Sequence, residues 1–169
     1  DKLDRHGFEN SRHAGLAARH YAIYNAHRIK GLGPNSWGMS ACISPSTGYS
    51  GLYGSHPIGV GHKLLEDGTV APYGALSFLP FTPKESLDAL NHMYQIPGLV
   101  GKYGLYDAYS YVTKANGDLP WIGKSYLGID KGLVLLMFEN YSTQLIWKLL
   151  HQNKSIQKGL KRLAFSQTN

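Results

Sequence analysis

The 169-residue sequence holds a single cysteine, Cys42, so neither an internal disulfide framework nor a cysteine-based zinc site is available. Charge is scarce: Asp, Glu, Lys and Arg make up 17% of the chain, against a usual share of about 25%. No apolar run approaches the ~18 residues of a membrane-crossing helix. The opening DKLDRHGFEN lacks the pattern of a secretory leader. Disorder is excluded in turn, because 43% of residues are hydrophobic and the net charge is only +6. That charge is also local. Lys148, Lys154, Lys158, Lys161 and Arg162 stand in a stretch without acids, which leaves residues 1–147 at +1. Nucleic-acid-binding proteins spread their cations over a face. Here the cations mark a solvated basic helical tail, 148–169, on a single domain spanning 1–169, and no nucleic-acid partner is expected.

Glycine and tyrosine are the abundant residues, 20 and 12 respectively. Residues 9–28 read as a helix with Leu16, Ala17, Ile23 and Tyr24 on its apolar face, stopped by GLGPNS. Residues 37–71 show no lasting helical period, and a connection this long in a compact domain is usually functional. LLEDGTVA inside it suits a hairpin around its Asp-Gly turn. A short helix follows over 72–79, with Pro at its first position. TPKESLDALNHMYQ opens on a capping box, Thr82 with Glu85. A short strand fits Tyr109–Thr113. Residues 130–153 read as one long helix capped by Asp130, with Leu133–Phe138 apolar on every side and therefore buried all round. KSIQKGLKRLAF closes the chain as an amphipathic segment. The expected class is all-α, with long Gly/Tyr-rich connections.

Most chemical motifs are missing. His6, His13, His20 and His27 recur every seven residues, a rise of about 10.5 Å on a helix, too far for two to share an ion about 2 Å from each. No metal site and no cofactor are expected. Cys42 lacks a protease-like setting and reads as a packed thiol, and no serine sits in a G-x-S-x-G elbow. The carboxylates carry the remaining chemistry. Asp130 at a helix N-terminus is either an ordinary cap or a base held charged at a cavity mouth. Glu139, mid-helix among apolar neighbours, is paired, hydrogen-bonded or tuned for a task. Asp67 is explained by its turn; Asp107, in YGLYDAYSY, is not. Carboxyls flanked by Trp and Tyr are the signature of glycoside cleavage. Asp130 and Glu139 lie nine residues apart, on opposite helix faces and separated by about 13.5 Å of rise, so a second catalytic carboxyl must come from elsewhere.

The stretches FENSRHAGLAARHYAI (8–23), GPNSWGMSACISPSTGYSGLYG (33–54), EDGTVAPYGALSFLPFTPKESLDAL (66–90), GKYGLYDAY (101–109) and SYLGIDKGLVLLMFENYSTQLIW (125–147) together resemble the glycoamylase-like (glucoamylase-like) family. That family includes endo-β-1,2-glucanases and a region of cyclic β-1,2-glucan synthases. The resemblance implies an (α/α)6 toroid, of which this chain resembles an incomplete C-terminal portion, completed by a missing N-terminal segment or a second chain. It implies a glycoside hydrolase acting on an oligo- or polysaccharide, a glucan of β-1,2 type among the candidates. Asp130 would activate water and Glu139 would tune the site. Asn10, Arg12, Trp37, Tyr49, Tyr53, Asp67, Asp107 and Tyr126 would line the sugar cleft. The proton-donating Glu lies upstream of the NSR stretch in family members, so no residue here inherits it. Cys42 and Ile43 stand where members often carry Ser-Asp, and no role follows for His56 or Lys63. A non-hydrolytic carbohydrate-binding or assembly module and a transglycosylase use the same cleft. Polysaccharide-degrading relatives tend to be exported, so a periplasmic or secreted location is expected.

Overall fold

The computed structural model describes residues 7–56, 64–112 and 114–165, so His6, Lys63 and Thr113 lie outside the described residues. Helix α1 spans Gly7–Asn25. Its buried stripe is Gly15, Ala18, Ala22 and Asn25, at i, i+3, i+7 and i+10. Ile23 and Tyr24, expected on the apolar face, are exposed instead. The reason is proximity: a Cβ on Gly15 would sit 2.8 Å from the Phe78 ring, so only small residues let α1 lie this close.

Helices α2 (Pro72–Leu76) and α3 (Pro83–Gln95) both start on proline, where the missing N–H has no intrahelical partner to lose. The capping box does not form. Thr82 donates its hydroxyl to Phe78 O and shares a hydrogen bond with Ser86 Oγ, because the backbone already turns continuously from Phe78.

The long C-terminal helix is broken into α4 (Gly128–Ser142), α5 (Leu145–Gln152) and α6 (Lys154–Arg162). Gln144 adopts φ +60°, and Thr143 Oγ1 accepts the Leu145 N–H, which ends one helix and starts the next. Asn153 then caps α6 by accepting from Ser155 N and Ile156 N. Asp130 is the third helical residue rather than the cap; Leu127 holds that position. The Leu133–Phe138 run is not buried all round either. Leu133, Leu135 and Leu136 are exposed, Leu135 at 71%, because α4 packs chiefly on α2 and α5 and leaves this face uncovered among the described residues.

Small antiparallel sheets correct the all-α expectation. Strands β1 (Cys42–Ser44) and β2 (Gly48–Ser50) form one hairpin, with Cys42 opposite Ser50. Strand β3 (Thr69–Val70) does not pair locally around Asp67–Gly68. Two further strands, β4 (Val100–Gly101) and β5 (Gly104–Leu105), form a second hairpin. β3 joins β6 (Ala108–Ser110), which also pairs with β7 (Trp121–Gly123), so β6 is the central strand. It is buried throughout, and that burial selects the distant partner over the local one.

The core lies between α1, α2, α3 and this sheet, around Trp37, Val70, Leu76, Met93, Leu99 and Tyr109. The loop before β1 reaches it through a close backbone approach. Gly38 has φ +103°, and a Cβ there would lie 2.5 Å from Ala75 N. Gly38→Ala therefore combines left-handed strain with a clash against backbone and is expected to cost about 2–4 kcal/mol of stability. A urea-denaturation midpoint equal to that of the unsubstituted chain would show that the loop yields.

Candidate functional site

Asp107 and Asp130 meet at one place from two directions. Asp107 precedes β6, and its backbone N–H is held by Ser125 O at 3.1 Å. Asp130 arrives in the first turn of α4. They are 4% and 7% exposed. Ile43 N donates to Asp107 Oδ2 at 2.6 Å. Each carboxyl has one buried oxygen without a hydrogen-bond partner, Asp107 Oδ1 and Asp130 Oδ2. The two carboxyls lie close enough for one shared proton to bridge them, which would give both oxygens a partner. Burial first, then the hydrogen bond to Asp107 and its charge, push Asp130 from 3.8 up to about 7; Lys131 opposes the rise. The dipole of the helix N-terminus favours the charged form, but desolvation and the neighbouring carboxyl shift the group the other way.

The pair opens onto a pocket of about 330 Å³, the size of a small-ligand site. Its walls are Tyr73 of α2, Leu90 and Tyr94 of α3, Tyr103–Tyr106 of the β4–β5 hairpin and its exit, and Val134, Leu135 and Phe138 of α4. Lys131 also lines it, with Nζ donating to Leu105 O and lying 5.5 Å from the Tyr126 ring centroid. Burial lowers the Lys131 ammonium below the usual lysine range, against the pull of Tyr126, Asp107 and Asp130. The Tyr73 hydroxyl is paired with Ser40 Oγ at 2.7 Å. Cys42 is fully buried, and burial together with the charges of Asp107, Asp67 and Asp130 pushes its thiol well up, so it is no nucleophile.

Several residues expected in a cleft lie elsewhere. Trp37 is 0% exposed, packed in the core with its ring 6.3 Å from that of Phe78. Tyr53 is buried, donating to Asp67 Oδ2 at 3.0 Å and lying 3.2 Å from Ser44 Oγ, while Asp67 Oδ1 accepts the Thr69 N–H. Asn10 and Arg12 sit exposed at the start of α1, Arg12 paired with Glu9 at 3.5 Å. Glu139 does not line the pocket; its Oε1 accepts from the Thr143 hydroxyl on the far side of α4. Tyr49 is exposed on β2, within electrostatic reach of Tyr73. Tyr126 stands behind the pocket wall, stacked on Tyr106 at 4.9 Å. His56 pairs with Glu66 at 3.3 Å. Ile43 supplies its backbone N–H where an acidic side chain was expected to be missed. Sequence reasoning overlooked Tyr73, Tyr94, Tyr103, Tyr106 and Lys131. Tyr94 was visible on the Leu87–Leu90 face of α3, and Lys131 directly follows Asp130.

The raised Asp130 value has a stability consequence. The folded chain holds this proton more tightly than the unfolded one, so the contribution is fully present below pH 3.8 and is lost as pH rises to about 7. Thermal melts should show stability declining across that window. In Asp130→Asn, a neutral donor to Asp107 at every pH, this decline should disappear; an unchanged slope would show that the carboxyl is not desolvated.

The glycoamylase family model, "Putative glucoamylase", matches residues 1–154. The chain is 31% identical over 158 residues to an exo β-1,2-glucooligosaccharide sophorohydrolase (non-reducing end) of Parabacteroides distasonis, covering 92% of this chain and 20% of that protein. It is similar in structure to the endo-β-1,2-glucanase of Chitinophaga pinensis in complex with sophorotriose and glucose. The TM-score is 0.78 at 35% identity, covering 98% of this chain and 37% of that one. The β-1,2-glucanase of Parabacteroides distasonis gives 0.75 at 30% identity, covering 91% and 20%. The chain thus spans between a fifth and two fifths of the relatives it matches, and it belongs to the glycoamylase family.

Proposed function

We propose that this chain supplies the catalytic base and part of the sugar-binding wall of a glycoside hydrolase acting on a β-1,2-linked glucan. The observation that carries the reading is the Asp107–Asp130 pair facing a tyrosine-walled pocket. The relatives named above, which act on β-1,2-glucans and their oligosaccharides by their descriptions, support the linkage. The exposed apolar face of α4 supports a place within a larger helical ring, the (α/α)6 toroid, whose further helices would cover it. An exported, periplasmic or secreted enzyme suits a polymeric substrate.

Asp130 is the base. Ionised, it takes a proton from water, whose oxygen attacks the anomeric carbon as the glycosidic C–O bond breaks. The leaving oxygen takes its proton from a separate acid. Asp107 is not that acid, because it lies within proton-sharing reach of Asp130, whereas the two carboxyls of an inverting enzyme stand ~6.5–9.5 Å apart and those of a retaining one ~5–5.5 Å. Asp107 instead holds Asp130 in place and raises its basicity, so that a value near 7 matches the working pH. The proton donor therefore comes from another segment of the ring.

Asp130→Asn should lower release of reducing ends from β-1,2-glucan by at least about a hundredfold, while calorimetry still detects glucan binding. Turnover at the unsubstituted rate would remove Asp130 from the chemistry, and binding without turnover in the unsubstituted protein completed by the acid-bearing segment would favour a non-hydrolytic module. For the unsubstituted enzyme, kcat/KM should rise with pH through about 7 and then level, since the base must be ionised. A fall through the same region would make Asp130 the proton donor instead.

A further inference from the structure

Tyr103 sits at the turn of the β4–β5 hairpin, lines the pocket and is 67% exposed. An exposed side chain at a hairpin tip ordinarily keeps its rotamer freedom, and ordering it on binding costs affinity. This one is fixed from behind. Its backbone N–H donates to the Tyr126 hydroxyl at 3.2 Å. Its ring meets Tyr126 edge-on, with centroids 5.4 Å apart and planes at 77°. Tyr126 in turn leans on Tyr106. The stack closes because residue 101 is glycine: a Cβ there would press on the Tyr126 hydroxyl and lie 2.5 Å from Tyr106 Cζ. On the last turn of α3, Tyr94 presents a second ring to the same pocket, 58% exposed.

We infer that Tyr103 and Tyr94 form an outer sugar subsite that holds a glucosyl unit of a longer chain beyond the unit at Asp130. The inference rests on the glycoside-hydrolase reading above and deepens it. The chemistry of the walls selects the ligand class. An apolar ligand would leave the unpartnered oxygens Asp107 Oδ1 and Asp130 Oδ2 desolvated. The negative charge of the carboxyl pair is set against the Lys131 ammonium, so neither a strongly anionic nor a strongly cationic ligand is favoured. A neutral polyol fits: its C–H faces lie on tyrosine rings and its hydroxyls both give and take hydrogen bonds. Lys102 Nζ, 5.2 Å from the Tyr103 centroid, is a donor within reach of hydroxyls on that ring. Tyr126 buttresses the subsite without touching the sugar.

The test uses the full chain carrying Asp130→Asn, so that binding is read without turnover, titrated by calorimetry with a β-1,2-linked glucose disaccharide and with long β-1,2-glucan. Adding Tyr103→Ala should weaken binding of the long glucan about tenfold, with a clearly smaller effect on the disaccharide. Tyr103→Phe should restore long-glucan binding, because the ring face is kept. Tyr126→Phe should weaken it by a smaller factor, through loss of the bond that holds the hairpin tip. Tyr24→Ala, exposed on α1 and away from the pocket, serves as the control. Equal affinity with and without Tyr103→Ala, or equal losses for the two ligands, overturns the subsite while leaving the hydrolase reading standing. A chain with Asp130→Asn alone that binds neither ligand overturns the hydrolase reading and this inference with it.

Discussion

The hydrogen bond from the Ile43 N–H to the Asp107 carboxylate is the joint on which the site turns. A backbone amide aimed at a buried carboxylate is a strong, oriented contact, and at 2.6 Å it ties β1 to the residue that leads into the central strand β6. With one Asp107 oxygen committed to Ile43, the other is left for Asp130. Asp130 is then raised, and the charge of the pair partly offsets the burial that lowers the Lys131 ammonium. Position of the hairpin, strand and helix thus converges on a single proton, and none of the three elements is long enough to define the site alone.

The tyrosines divide into two kinds of work. Tyr53, Tyr109 and Tyr126 spend their hydroxyls inside the protein, on Asp67, Ser36 and the Tyr103 N–H respectively. Tyr94 and Tyr103 spend theirs on nothing that holds the fold and leave their rings in the open. A buried tyrosine needs a partner for its hydroxyl, so the first group is part of the folding free energy. The second group leaves apolar surface in water and recovers it only when something lies against the rings. That asymmetry separates structure from function more sharply than composition does.

Helices α1, α2 and α3 and the aromatic irregular segments were legible in the sequence, and Asp107 and Asp130 could be singled out there, because those signals are local. Proline at Pro72 and Pro83 marks helix starts without reference to anything distant. What failed was decided over distance. Trp37 reads as a sugar platform by type, yet its burial depends on Phe78, forty-one positions away in the chain. The Asp-Gly turn at 67–68 promised a local hairpin, but β3 found its partner in β6. The apolar run of α4 promised burial on every side, and the described residues cover only part of it. The upward shift of Asp130 was not legible either, because the dipole of its own helix is visible in sequence while the neighbouring carboxyl of Asp107 is visible only in space.

Cys42 gives these relationships a practical reading. It is the lone thiol of the chain, fully enclosed, with the charges of Asp67, Asp107 and Asp130 bearing on it. A thiol reagent therefore has one target and no route to it while β1 stays docked beside the carboxyl pair. The rate of alkylation is a built-in clock for local opening, readable without any introduced label, and it reports on the very strand that carries Ile43.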